Sequence, residues 1–167
     1  VLRAVQAVVD EGLARPWLVG RASVITARIE KLGLRLRQGG DYEIVNIDDD
    51  PRYRDYWQTY HRLTERKGVT EQFAKIEMRR RLTLIASMLL YKGEVDGMIC
   101  GTWGTTSQQL AHVDQIIGRR AGVSTYACMN VLMLPGRQLF LVDTHINYDP
   151  TAEQVAVQVR RIGLFPM

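Results

Sequence analysis

Cysteine is scarce in this chain: Cys100 and Cys128 are the only two among 167 residues. That is too few for the disulfide scaffold of a small secreted domain. Both are expected as free thiols in the core, in a reducing, cytoplasmic setting. No uninterrupted apolar run approaches the roughly 20 residues a membrane helix needs. The most apolar stretch, Leu82 to Leu90, is short and follows Arg79, Arg80 and Arg81. The N-terminus carries Arg3 and Asp10 inside an amphipathic pattern, unlike a signal peptide. Internal repeats are absent, and no Pro-, Ser- or Gln-rich linker divides the chain. His61, His112 and His145 show no metal-ligand spacing, so no metal site is assigned. A Gly-x-Ser-x-Gly elbow is also missing, and nothing completes a nucleophile, base and orienter set. No catalytic residue is therefore assigned.

What is present suits a globular protein of one domain or two small ones, with 46% hydrophobic and 24% charged residues. The net charge of +4 comes from 22 basic against 18 acidic residues. Its densest source is Arg79-Arg80-Arg81, with pairs at Arg119-Arg120 and Arg160-Arg161. Such clusters can attract phosphates or acidic cofactors, and they can equally be solvated helix faces. Neither nucleic acid nor a membrane is expected as a partner.

The order of elements carries more information. Leu2, Val5, Val8 and Val9 have helical spacing, stopped by Gly12. Pro16 to Gly20 reads as a buried parallel strand. Ile25, Ile29 and Leu32 stripe a helix that ends at Gly33, and Tyr42 to Ile47 reads as a second strand. Asp50-Pro51 offers a cap and a first-turn proline. The helix it opens bears an aromatic stripe of Tyr53, Tyr56, Trp57 and Tyr60 expected to pack on the sheet. One long helix is expected from Glu71 to Tyr91, with Phe73, Met78, Leu82, Ile85 and Leu89 on one side. Val95 to Cys100 reads as a third strand, followed by a helix facing inward through Leu110, Val113 and Ile117. Alternating strands and helices predict an α/β fold, a mainly parallel sheet flanked by helices. After Gly122 the pattern changes. Val123 to Leu134, a Pro135-Gly136 turn and Leu139 to Asp143 predict a β-hairpin, and Asp149-Pro150 predicts a cap for a last helix. The expected domains are 1–122, and 123–167 as the start of a second α/β domain.

Ligands of parallel α/β sheets usually bind beyond the carboxyl ends of the strands. The loop Gly101-Thr102-Trp103-Gly104-Thr105-Thr106 is one candidate. Its glycines allow close approach, its threonines offer hydroxyls, and the following helix points amide N–H groups at it. The spacing matches neither a Walker loop nor a dinucleotide fingerprint, and an ordinary strand-to-helix turn reads the same way. The polar run from Asp143 through Thr144, Asn147 and Asp149 to Pro150 is the other candidate, with caps and a turn as the alternative.

Several stretches resemble one family. Glu11 to Pro16 followed by Val19-Gly20-Arg21 is one, and Lys92 to Met98 followed by Gly101 is another. Gln115-Ile116-Ile117, Asp143 with Asn147, and Asp149-Pro150-Thr151-Ala152-Glu153 are the rest. Together they resemble phosphate acetyltransferases, which move an acetyl group between coenzyme A and phosphate. Asp50 to Trp57 and Met129 to Gly136 are more similar to the transferase-like C-terminal region of bacterial multidomain NADP-dependent malic enzymes. The resemblance runs from Val1 to at least Gln154. It implies a two-domain fold related to isocitrate dehydrogenases, and dimers or higher homo-oligomers built through the second domain.

Departures from the family shape the functional expectation. Transferases of this family carry a phosphate-binding arginine one residue after a leucine, where this chain has Leu110-Ala111. Alanine offers no guanidinium fork. Losing such an electrostatic clamp typically costs about 2.7–4 kcal/mol of transition-state stabilisation. The family's remaining catalytic residues, including a serine–arginine pair, are expected beyond this stretch, and relatives have roughly two more turns between the parts resembling Val155-Ala156 and Val159-Arg160-Arg161. A hairpin and one helix would leave an open apolar face, so the chain is expected to be a fragment. The resemblance thus implies a regulatory domain that binds acetyl-CoA, or a related acyl-CoA, as an effector. NADP and a divalent metal would belong to a malic enzyme catalytic domain elsewhere in the same polypeptide. Gly101, Thr102, Gly104, Thr105 and Thr106 would contact the ligand, with Asp143, Thr144 and Asn147 shaping the site and Arg119 and Arg120 as phosphate contacts. An active phosphate acyltransferase and a structural dimerisation module are the alternatives.

Overall fold

The structure, a computed structural model, describes residues 1–101, 103–144 and 146–163, apart from the side chains of Arg161 and Ile162. The chain divides into two compact units, Val1–Ile99 and Cys100–Met167.

The first unit is an α/β layer. Its helices α1 (Leu2–Asp10) and α2 (Ala22–Lys31) alternate with strands β1 (Trp17–Gly20) and β2 (Glu43–Asn46). The strands pair in parallel, Leu18 opposite Ile44 and Val19 opposite Val45. Side chains alternate between the faces of a strand. Leu18 and Ile44 accordingly pack with Leu2, Val5, Val9 and Ile25 around buried Ile29, Leu36 and Tyr42. Val45, one residue on, borders a small recess with Tyr56, Met78 and Ile85 from the other helical layer. That layer is α3 (Tyr53–Thr64), α4 (Glu71–Arg80) and α5 (Leu82–Tyr91). Helices thus cover both faces of this short sheet, as parallel pairing requires.

The aromatic stripe of α3 is buried at Tyr56, Trp57 and Tyr60. Much of it packs on α4 rather than on the sheet. The Tyr53 hydroxyl donates to the Lys75 carbonyl at 2.7 Å, and Lys75 Nζ lies 4.3 Å from the Trp57 ring centre. The single helix expected over Glu71–Tyr91 is two helices. Arg81 adopts φ −111°, ψ 97°, an extended conformation that ends α4 and starts α5. The break redirects the apolar face: Met78, Ile85 and Leu89 are buried, while Phe73 and Leu82 are about half exposed.

The third strand expected at Val95–Cys100 does not form. Gly93 (φ +72°) closes α5, with the Glu94 amide donating to the Leu89 carbonyl at 2.9 Å. The chain then returns along α5, where Ser87 Oγ donates to Met98 Sδ at 3.6 Å. Pairing of β1 with β2 is the parallel ladder among the described residues. Without a strand there, Ile99 and Cys100 are exposed, so Cys100 is not a core residue. The first compact unit ends at Ile99 and the second begins at Cys100.

The second unit holds α6 (Thr106–Ile116), the antiparallel hairpin β3 (Met129–Leu134) with β4 (Arg137–Val142), and α7 (Ala152–Ile162). Ile116, not Ile117, is the buried residue near the end of α6. The hairpin turns at Pro135-Gly136, where Gly136 takes φ +73°. It begins at Met129 rather than Val123, because Asp114 and Asn147 hold the preceding segment through Tyr126. Its apolar residues, including Leu132, Met133, Phe140 and Leu141, are exposed. The cap of α7 is Thr151 rather than Asp149. The Thr151 amide donates to Gln154 Oε1 at 2.8 Å, and the Gln154 amide donates to Thr151 Oγ1 at 3.2 Å. Among the described residues, no helix is long and apolar enough to cross a membrane.

Candidate functional site

All of the expected ligand contacts fall in the second unit, on two separate features. Thr102 lies outside the described residues, as does His145. Gly101, Gly104, Thr105 and Thr106 are exposed, so the loop is open to solvent. It is braced from within. Thr105 Oγ1 accepts the Gln108 amide at 3.3 Å, and Gln108 Oε1 accepts the Thr105 amide at 3.2 Å, which together cap α6. Gln109 Nε2 donates to the Trp103 carbonyl at 2.6 Å. Gly104 has φ +79°, and a side chain there would meet Gln108 Oε1 at 2.9 Å. This bracing holds the Trp103 indole, 86% exposed, out into solvent. Trp103 was not among the expected contacts; its signal was a large aromatic inside a glycine-rich loop.

The second feature is a hydrogen-bonded chain that joins β4 to the end of α6. The Asp143 amide donates to the Cys128 carbonyl at 2.8 Å, adding a rung beyond the hairpin. Asn147 Nδ2 donates to Asp143 Oδ1 at 2.6 Å and to the Tyr126 carbonyl at 3.0 Å. The Tyr126 hydroxyl donates to Asp114 Oδ1 on α6. Burial, helped by that bond to Asp114, pushes the Tyr126 phenol up to about 12. Thr144 Oγ1 lies 3.5 Å from Cys128 Sγ, in hydrogen-bonding reach.

Arg119 belongs to this chain as well. Its guanidinium lies 5.5 Å from the Tyr126 ring centre, donates to the Ser124 carbonyl and sits 3.8 Å from Asp114. Those bonds occupy part of the guanidinium that a phosphate would use. Arg120 is exposed. Asp143, Asn147 and Arg119 are therefore connected through Tyr126 and Asp114, two residues that sequence patterns did not single out. No hydrogen bond among the described residues links them to the Gly101–Thr106 loop. An open recess of about 300 Å³ lies against the first turns of α7, bordered by Ser124, Thr125, Thr151, Glu153, Gln154 and Val157. None of the expected contacts borders it.

The pattern described as phosphate acetyl/butaryl transferase matches residues 1–160, nearly the whole chain. The chain belongs to that family. It is 45% identical over 172 residues to an NADP-dependent malic enzyme of Haemophilus influenzae and 43% identical over 173 residues to that of Salmonella typhimurium. In each case 99% of this chain and 23% of the relative are covered. A phosphate acetyltransferase of Nitratidesulfovibrio vulgaris is 31% identical, over 93% of this chain and 22% of that protein. The chain thus spans about a quarter of the length of these relatives. Among solved structures, a phosphotransacetylase from Streptococcus pyogenes superposes with a TM-score of 0.80 at 26% identity, covering 95% of this chain and 47% of that one. The EutD phosphotransacetylase from Staphylococcus aureus shares the fold, with a TM-score of 0.78 at 21% identity over 95% of this chain and 46% of its own. The α/β fold of the phosphate acetyl/butaryl transferases accounts for both compact units, and the stretch matched in the malic enzymes is their C-terminal region.

Proposed function

We propose that this chain is the acyl-CoA-sensing region of a cytoplasmic malic enzyme. It binds acetyl-CoA, or a related acyl-CoA, without passing the acyl group to phosphate. Binding shifts the oxidative decarboxylation of malate in a catalytic domain of the same polypeptide, which would use NADP and a divalent metal. Such control requires the effector to bind two states of the enzyme unequally.

One observation carries this reading. Where the transferases are expected to hold an arginine, this chain has Ala111, exposed on α6. The nearest cation along the chain from there, Arg119, is engaged by Asp114, Tyr126 and the Ser124 carbonyl. A methyl group holds no anion, and a guanidinium already bonded elsewhere is a poor phosphate fork. The higher identity to malic enzymes than to phosphate acetyltransferases supports the same choice. The exposed hairpin favours a further role in homo-oligomer contacts, and taken alone it would fit a structural dimerisation module.

Three measurements on the full-length protein test the proposal. Calorimetry should detect acetyl-CoA binding, malate oxidation should change on adding acetyl-CoA, and acetyl phosphate should not accumulate with acetyl-CoA and orthophosphate. Robust transferase turnover would make the chain an active acyltransferase instead. Absence of binding at millimolar acetyl-CoA would leave the dimerisation module as the better account.

A further inference from the structure

The net positive charge of the chain has one source. Residues 52–81, which span α3, the turn after it and α4, hold nine Lys and Arg against four Asp and Glu. The rest of the chain holds 13 against 14 and is nearly neutral. Part of the basic charge is met locally, where Lys75 pairs with Glu71 at 2.6 Å and Arg81 with Glu77 at 3.1 Å. Arg79 and Arg80 are exposed and make no ion pair among the described residues. The Arg79 guanidinium lies over the Tyr53 ring, 4.5 Å from its centre. Stacking of this kind fixes the guanidinium and leaves its edge donors available to a carboxylate.

The same helix turns apolar groups outward. Phe73 and Ile76 are 49% and 43% exposed. With Arg80 they follow the i, i+3, i+7 spacing of one helical stripe. Helix α4 buries Ala74 and Met78, whereas α5, of equal length, buries six residues. Neither burial nor helix propensity accounts for Phe73 and Ile76, because Lys, Glu or Ala would serve better on a solvated face. Apolar anchors at this spacing, flanked by cations, suit a surface that is partly apolar and acidic. A second copy meeting this face across a two-fold axis would set the basic stripe against itself, and like charges oppose that. The rest of the chain has no acidic surplus to offer. The malic enzymes to which the chain is 45% and 43% identical have 23% of their length in the matched stretch, so most of such a polypeptide lies outside it. We propose that the outward face of α4, with Phe73, Ile76, Arg79 and Arg80, docks on an acidic surface of the malic enzyme catalytic domain in the same polypeptide. This rests on the malic enzyme reading above and gives it a route: a contact that differs in strength between two states can carry the effector's signal.

The test uses the full-length protein. A p-benzoylphenylalanine placed at position 76 is photo-cross-linked, and the captured peptide is sequenced by mass spectrometry. The expected peptide comes from the catalytic domain and contains Asp or Glu. A peptide from the transferase-like region, of the same or a second copy, would overturn the proposal, as would no cross-link. Coupling is read separately. Arg79→Glu combined with Arg80→Glu should bind acetyl-CoA as the wild type does and keep basal malate oxidation within about twofold. The response of malate oxidation to acetyl-CoA should fall about fivefold. Arg79→Lys combined with Arg80→Lys keeps the charge and should retain most of the response. Phe73→Gln combined with Ile76→Gln changes exposed positions, should repeat the loss, and serves if charge reversal prevents folding. An unchanged response in both disruptive variants would overturn the proposed docking. Wild-type malate oxidation that ignores acetyl-CoA would remove the effector reading alone, because the cross-link reports docking without it. A full-length protein that does not oxidise malate would remove the malic enzyme reading and this inference together.

Discussion

Arg52 and Glu94, 42 residues apart in sequence, are joined by a 2.5 Å ion pair that ties the end of α5 to the start of α3. Arg52 also grips Asp50 with two bonds, of 2.9 and 2.7 Å, and its guanidinium lies 5.3 Å from the Trp17 ring centre and 5.7 Å from that of Tyr56. The Tyr56 hydroxyl donates to the second Glu94 oxygen at 2.8 Å. One cation therefore holds two half-buried carboxylates, β1 and two helices in a single network. Replacing Arg52 with methionine keeps the packing volume but leaves both carboxylates facing each other. That should cost about 2 kcal/mol, between the values for exposed and for buried pairs. Denaturant unfolding of Arg52→Met, Glu94→Gln and the double variant measures it, and the double variant should lose less than the two single losses added.

Acid should act through the same network. The hydrogen bond from Arg52 holds the Asp50 carboxyl below its ordinary range, outweighing the opposing effect of burial. A carboxyl with a lowered folded-state pKa binds its proton more readily in the unfolded chain. Its stabilisation is present above the ordinary carboxyl range, near pH 4, and is lost as pH falls through the folded value. Asp50→Asn should flatten the dependence of unfolding free energy on pH below about 4. A slope unchanged from wild type would mean that other carboxylates control acid unfolding.

The second unit should respond at the opposite end of the scale. Burial and the bond to Asp114 raise the Tyr126 phenol to about 12. The unfolded chain then loses this proton first, so the stabilisation is full below about pH 10 and declines as pH rises towards 12. Tyr126→Phe should remove that alkaline decline, read as thermal unfolding between about pH 9 and 12. It should also weaken the hold on α6, because Asp114 loses its hydroxyl donor.

The loop before α6 is held by local bonds, so small changes there should have separable effects. Thr105→Ala removes the side-chain cap on the Gln108 amide and should cost about 1 kcal/mol. Gly104→Ala should cost more. It places a side chain at φ +79° and drives Cβ to 2.9 Å from Gln108 Oε1, the group that completes the capping box. Thermal melts of the two variants should rank them in that order.

Local patterns were legible wherever local chemistry decides the outcome. Gly12 and Gly33 end helices at φ +64° and +61°, and Pro135-Gly136 turns the hairpin. The stretches from Pro16 and from Tyr42 form the two parallel strands. What failed depended on distant partners. Val95–Cys100 has strand-like composition, but Glu94 is drawn to Arg52 and Tyr56, and Met98 to Ser87, so the segment follows α5. The long amphipathic run of Glu71–Tyr91 gave no sign of a break, because Arg81 is a good helix former whose extended backbone comes from the packing of two helices. Among the expected contacts, Asp143 and Asn147 do meet, and Asn147 connects through Tyr126 to Arg119. The Gly101–Thr106 loop was identified from its glycines and threonines, which say what it could bind but not what it lies beside.

The absence of an arginine at position 111 can be tested by restoring one. Ala111 is exposed on α6, and arginine is nearly as good a helix former as alanine, so Ala111→Arg should fold with a loss of only a few tenths of a kcal/mol. If the missing guanidinium is what keeps phosphate out, calorimetry should show orthophosphate binding about tenfold tighter in the variant, an effect that high salt weakens. Acetyl phosphate formation should stay low, because one arginine supplies an anion contact but not the other groups that transfer requires. An unchanged phosphate affinity would mean that position 111 does not face the ligand, and the reading of this chain as a silenced transferase would lose its main support.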